Sequence, residues 1–192
     1  MINNICAVCG NDSAVLHGDT FYCDKCGAEY LRGENKMNVI EFEVMGEPVG
    51  KGRPRFSTQG GFARAITPMK TANYETLVKF SYAQKHSGFS FEAGKPLIAC
   101  IEAFFSIPKS ASKKARASMI RGDIRPTKKP DADNIIKCIL DALNGLAYHD
   151  DSQVVGVICQ KFYAETPHTV IKVFSAYDLD AVLNKWYNNI VQ

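Results

Sequence analysis

Apolar and polar residues alternate along "VIEFEVMGEPV", Val39 to Val49, which predicts a β-strand with one buried face. Leu97 to Ile107 is instead almost continuously apolar, rich in β-branched and aromatic residues, and predicts a buried strand. Val154–Tyr163 and Thr169–Phe174 predict two more strands, paired with each other through a turn at Pro167. Helices are predicted over Met69–His86, from near Ser110 to a stop at Gly122, and over Asp178–Ile190. Another is predicted from about Asn134 to the Asn144-Gly145 stop signal, with Asp133 as its N-cap and Ile135, Ile136, Ile139, Leu140 and Leu143 as its buried stripe. "KGRPRFSTQGGFARAITP" between the first strand and first helix reads as a basic loop. Strands and helices are mixed without strict alternation, so the expected class is α+β, a mixed β-sheet packed with helices.

The chain has 192 residues, 46% of them apolar, which suits one ordinary domain plus a small appendage. Its longest apolar runs, Pro96–Pro108 and Ile135–Ala147, are too short to span a bilayer and carry Glu102, Lys137 and Asp141. The first residues lack a basic start and an apolar signal core, so a cytoplasmic protein with no membrane partner is expected.

The appendage is the N-terminal stretch. "CAVCGNDSAVLHGDTFYCDKCGAEY" holds Cys6, Cys9, Cys23 and Cys26 as two C-x2-C pairs, each followed by glycine. Four thiolates in two tight turns suit one tetrahedral Zn²⁺, and so short a segment needs the metal's binding energy to fold. Residues 1–34 are therefore expected to form a zinc ribbon, with "RGENKMN" as a polar linker. Cys100, Cys138 and Cys159 lie singly in apolar surroundings and read as small buried hydrophobes.

Charge adds a second theme. Residues 1–36 carry net −2, whereas Lys51 to Tyr74 carries net +5 with no acid, and Ser106 to Pro130 carries net +7. Two basic blocks suit a polyphosphate, with Lys51, Arg53 and Arg55 in the first and Lys109, Lys113, Lys114, Arg116 and Arg121 in the second as candidate DNA-binding side chains. Directly after them, "KKPDADNIIKCILDALNGLAYHDDSQ" sets Asp131, Asp133, Asp141, Asp150 and Asp151 on an apolar framework. Asp131 and Asp133 are expected to share one direction in an extended lead-in, and the loop returning from the helix is expected to bring Asp150 and Asp151 to the same point. Carboxylates that close repel unless a cation lies between them, and hard oxygen ligands suit Mg²⁺ or Mn²⁺. Such a metal beside a basic surface fits phosphodiester hydrolysis, with Lys137 placed to stabilise charge on the phosphate. Glu102, in the predicted buried strand, is expected to be a strand-edge or paired carboxylate rather than a metal ligand.

"KPDADNIIKCILDALNG" followed by "YHDDSQVV" resembles the signature of RusA-type Holliday-junction resolvases, common in phages and prophages. "GEPVGKGRPRF", Thr67-Pro68 and "IPKSASKKAR" agree with that family's other landmarks, and the likeness runs from about Val39 to Phe174. The resemblance implies a RusA-like endonuclease domain at residues 38–192 and a homodimeric, Mg²⁺-dependent endonuclease that resolves four-way DNA junctions by paired nicks. It places the essential carboxylates on Asp131, Asp133 and Asp151, with Asp150 alongside, and the catalytic lysine on Lys137. The zinc ribbon departs from the family's minimal pattern. Two rival readings are a non-catalytic zinc-ribbon DNA-binding protein and a metal-dependent nuclease acting on flaps, forks or RNA.

Overall fold

Strict alternation along the first long strand sets the orientation of the main sheet, because its buried side must face the helices. The structure, a computed structural model, describes residues 14–17, 20–23, 29–31, 39–53, 55–57 and 64–176. Two compact units emerge, Ile40–Val173 and a smaller one drawn from Met1–Val39 and Phe174–Gln192. In the smaller unit β1 (Ala14–His17), β2 (Thr20–Cys23) and β3 (Glu29–Leu31) form an antiparallel sheet in that order. Cys23 ends β2 and is buried, whereas Cys6, Cys9, Cys26 and the predicted helix at 178–190 lie outside the described residues.

The larger unit confirms the α+β expectation, with a four-stranded mixed sheet and three helices. In β4 (Ile40–Met45), Ile40, Phe42 and Val44 are buried and Glu41, Glu43 and Met45 exposed. The basic loop is in part a two-stranded hairpin, β5 (Arg55–Ser57) with β6 (Arg64–Ile66). Helix α1 (Met69–His86) has the predicted bounds and buries Thr71, Tyr74, Val78 and Tyr82 along one stripe. β7 (Leu97–Ser106) follows, then α2 (Lys113–Arg121). The Ser112 side chain caps α2 by accepting from the Ala115 N–H, and Gly122 closes it in the left-handed conformation that favours glycine, φ 85°. Helix α3 (Ala132–Leu143), β8 (Val154–Ala164) and β9 (His168–Ser175) complete the unit.

The strand order is β4-β9-β7-β8, with β4 antiparallel to β9 and β7 parallel to β8. This corrects the expected hairpin of the last two strands. The almost wholly buried β7 lies between them, where both its edges are paired and its alternate residues Leu97, Ala99, Ile101 and Ala103 reach the core. The links from Ala164 to His168 can span about 14 Å, enough to cross the two strand spacings of about 9.6 Å over β7. Ile135, Cys138, Ile139 and Leu143 of α3 and the buried stripe of α1 pack onto that core.

Glu102 alternates with Ile101 and Ala103, so it projects from the sheet face opposite α3, and it does so from an inner strand rather than from the sheet edge, one of its expected places. Burial raises its pKa, partly countered by Lys172. A carboxyl with a raised folded pKa stabilises the fold fully below its unfolded value of 4.5, and that contribution is lost as pH rises through the folded value. Glu102→Gln is therefore expected to raise Tm at neutral pH and to leave it unchanged in acid below the unfolded pKa. Melting curves at both conditions test this; a lower Tm at neutral pH would show that the ionised carboxylate is net stabilising.

Candidate active site

Pro130 precedes α3 and Asp131, extended at φ −71° and ψ 150°, takes the N-cap position. The Ile135 N–H to Asp131 carbonyl bond of 3.2 Å closes the first turn there, so the helix starts two residues earlier than the predicted Asp133 cap. Asp133 instead occupies the first turn, at the positive end of the helix dipole. The Asp131 side chain makes no capping hydrogen bond, and both carboxylates are exposed. Asn134 Nδ2 donates to Asp133 Oδ1 at 3.3 Å. Lys137 is exposed one turn beyond Asp133, and Asp141 follows another turn on, so the three share a face.

Asp131 borders an open cleft of about 760 Å³ lined also by Gly50, Lys51, Arg53, Lys70 and Lys129. The cleft thus sets four cationic residues around one catalytic candidate. Lys51 is the least free of them. Its Nζ lies 2.5 Å from Glu75 Oε1 and 2.7 Å from Asp141 Oδ2, and its backbone N–H donates to the Asn134 carbonyl at 2.7 Å. Burial opposes its charge, but the two carboxylates more than offset this and raise its pKa. Lys51 is therefore a strut between the basic loop, α1 and α3. Arg53 is exposed, and the side chain of Arg55 lies outside the described residues.

Gly50 shows how closely loop and helix meet. A Cβ there would stand 2.8 Å from Pro130 Cβ and 3.0 Å from Asn134 Cβ. Gly50→Ala is expected to push the start of α3 away, costing about 1–3 kcal/mol of stability and lowering activity together. Thermal denaturation beside a cleavage assay checks this; wild-type values in both would mean that the loop yields without moving Asp131.

The second acidic pair lies elsewhere. Asp150 caps a single 3-10 turn, Asp151–Gln153, accepting from the Ser152 N–H at 2.9 Å while the Gln153 amide oxygen takes the Asp150 N–H. Hydrogen bonds with Ser152 hold the Asp150 carboxyl below its usual pKa. That capping work leaves Asp151, also exposed, as the less committed of the two. Gln153 Nε2 ties the turn to the carbonyls of Glu92 and Lys95 at 2.8 and 3.1 Å, where β8 begins. Tyr148, just before the pair, donates to the Leu140 carbonyl near the C-terminal end of α3. The pair therefore stands at the end of α3 opposite Asp131 and Asp133, and α3, at 12 residues, is about 18 Å long. The structure does not bring all four together within one chain: among the described residues no three His, Cys, Asp or Glu side chains gather to hold a metal ion. The loop returns along the helix only as far as its C-terminal turns.

The middle of the second basic block forms α2, which buries no residue. Lys109, Lys113, Lys114 and Arg121 are exposed and Arg116 half-buried. Arg116 meets Glu165 at 3.4 Å and Arg121 meets Asp123 at 2.8 Å, leaving the lysines as the plainer cationic surface. Two residues near the site, Glu75 and Lys161, escaped sequence reasoning, as did the use of Asp141 to hold a lysine. Glu75 and Asp141 clasp Lys51, and Lys161 of β8 holds the loop before Asp131, with its Nζ on the carbonyls of Lys128 and Pro130. A lone lysine inside "VVGVICQKFYA" was the available signal for the last.

No helix among the described residues is long and apolar enough to cross a membrane. Over 139 residues the chain is 39% identical to an uncharacterized protein, YqaN, of Bacillus subtilis (strain 168), covering 71% of this chain and 96% of that protein. The family model for endodeoxyribonuclease RusA matches residues 45–174, from the end of β4 through α3 and the acidic turn to β9. The chain belongs to the endodeoxyribonuclease RusA family.

Proposed function

We propose that this protein is a homodimeric, divalent-metal-dependent endodeoxyribonuclease that resolves four-way DNA junctions by paired nicks. The observation that carries the reading is the pair of exposed carboxylates, Asp131 and Asp133, at the start of α3 beside a cationic cleft, in a chain of this family. Mg²⁺ is commonly held by one or two carboxylates together with waters and substrate phosphate, and Asp131 and Asp133 fit that donor set. A bound Mg²⁺ or Mn²⁺ would supply an activated water and neutralise charge on the leaving oxygen. Lys137, one turn from Asp133, stabilises charge on the phosphate. Arg53, Lys70 and Lys129 line the cleft for the phosphodiester chain, and Lys109, Lys113, Lys114 and Arg116 extend the cationic surface.

Asp151, with Asp150 behind it, joins Asp131 and Asp133 from a second copy. The length of α3 keeps the two pairs apart in one chain, whereas a two-fold axis across two antiparallel α3 helices lays the start of each against the end of the other. Two equal sites then face a substrate that itself has approximate two-fold symmetry. Cys6, Cys9, Cys23 and Cys26 hold one structural Zn²⁺ in a ribbon at residues 1–34, attached to an endonuclease domain at 38–192.

Matched linear duplex, flap, fork, four-way junction and RNA substrates, each with Mg²⁺ or EDTA, test the reading. Symmetric nicks in the junction alone, lost in EDTA, are expected. Equal cleavage of flaps, forks or RNA would move the substrate class, and binding without cleavage under every metal condition would leave a DNA-binding protein.

A further inference from the structure

We propose that Lys161 is a positioning residue for Asp131, acting from the sheet through the loop that carries the carboxylate; this rests on the nuclease reading above. Lys161 lies in β8 opposite Ala103 and is half-buried. Its Nζ donates to the Lys128 carbonyl at 2.6 Å and the Pro130 carbonyl at 3.0 Å, and lies 5.5 Å from the centroid of the Phe105 ring. An ammonium has three donors and no acceptor, so two of the three are spent on one short stretch of backbone. The second carbonyl belongs to the residue immediately before Asp131.

The same strand position ties the loop at its other end. The Lys161 carbonyl accepts from Arg125 Nη1 at 3.3 Å, while Arg125 Nε donates to the Gly122 carbonyl at 2.9 Å. The Arg125 guanidinium lies 3.7 Å from the centroid of Phe162, whose ring stacks on Phe104, which in turn stacks on His168. A row of rings across three strands thus braces Arg125, and Arg125 and Lys161 between them fasten both ends of residues 125–130 to β8. Gly50 presses on Pro130 from the side of the cleft.

This fastening matters because Asp131 has no capping bond of its own side chain to fix it. Its place is set by its backbone, and that backbone is set by Pro130. Three other cationic residues, Arg125, Lys128 and Lys129, belong to the same loop, so a further cation inside it is held against repulsion by the two carbonyls it bridges. A methionine or glutamine at position 161 would keep the stem's packing and lose the charge-assisted bonds.

The test compares the full-length protein with Lys161→Met and Lys161→Gln. Hydrogen exchange of residues 127–134, Mn²⁺ binding without DNA, and kcat and KM for nicking a four-way junction are measured. Exchange in that segment is expected to quicken, Mn²⁺ binding to weaken and kcat to fall about 10- to 100-fold, the usual cost of removing a group that orients a metal-binding carboxylate. KM for the junction should stay within about twofold, since Lys161 spends its donors on the protein. Should the methionine variant not fold, the glutamine variant carries the same expectations. Wild-type exchange and kcat in a folded variant would overturn the proposal, and so would a rise in KM with kcat unchanged, which would make Lys161 a phosphate contact. A wild-type protein that cuts no substrate would sink the nuclease reading instead, a result visible before any variant is compared.

Discussion

Asp131→Asn and Asp133→Asn are each expected to stop strand nicking while leaving junction binding intact or slightly stronger. Asparagine keeps the size of the side chain and one of its oxygens, so the start of α3 should not move; Asp131 gives no side-chain cap to lose. What disappears is a negative charge and a hard oxygen ligand beside a cationic cleft. Metal-assisted charge stabilisation is worth several kcal/mol, so a drop of about a thousandfold in kcat is the expected scale. Binding should not fall with it, because a carboxylate beside Arg53, Lys70 and Lys129 opposes the approach of phosphate. Single-turnover nicking and a binding titration at one salt concentration separate the two effects. A variant that nicks at the wild-type rate would remove that residue from the site. A parallel loss of binding would make it part of the DNA surface.

Local patterns and long-range geometry were legible to different degrees. Met69–His86 could be bounded because Pro68 opens it and a four-residue stripe of buried positions runs along it. Glu41, Glu43 and Met45 could be assigned outward because strict alternation leaves no other arrangement. The sequence pattern places the start of α3 at Asp133, two residues late, for a physical reason: Asp131 is an equally good cap by residue type, and the choice falls to the hydrogen bond between Ile135 and Asp131. The partner of β8 was not legible, since alternation assigns faces and says nothing about which edge meets which. The clasp of Lys51 by Glu75 and Asp141 links residues far apart in sequence, and a charge count sees only a basic loop. The same limit hid the separation of the acidic pairs. A return loop after a helix can end beside either terminus, and the bond from Tyr148, just before the pair, to the Leu140 carbonyl puts Asp150 and Asp151 at the far one.

That separation leads to the sharpest expectation, which concerns mixtures of two inactive chains. Asp131→Asn protein alone and Asp151→Asn protein alone should each fail to cut. If Asp131 of one protomer works with Asp151 of the other, a dimer holding one chain of each kind has one doubly damaged site and one intact site. Equal amounts exchanged at random place about half of the dimers in that mixed form, so about a quarter of the wild-type number of sites should return. These dimers carry a single working site, so they should nick one strand of a junction and leave its symmetric partner whole. A site built within one chain predicts a different outcome, because every chain in the mixture lacks one of its own carboxylates and no activity returns. The geometry favours the first: α3 is about 18 Å long, and Lys161, which holds the loop before Asp131, is seven residues or about 23 Å along β8 from Val154, beside which Asp151 sits. Side chains of aspartate do not bridge such a gap. Mixing should be done under mild denaturation and refolding, so that chains exchange before the assay. Restored single nicks would join the two acidic pairs across a dimer, and a mixture as inactive as its parts, with exchange confirmed by a tagged chain, would assign Asp151 a task apart from that of Asp131.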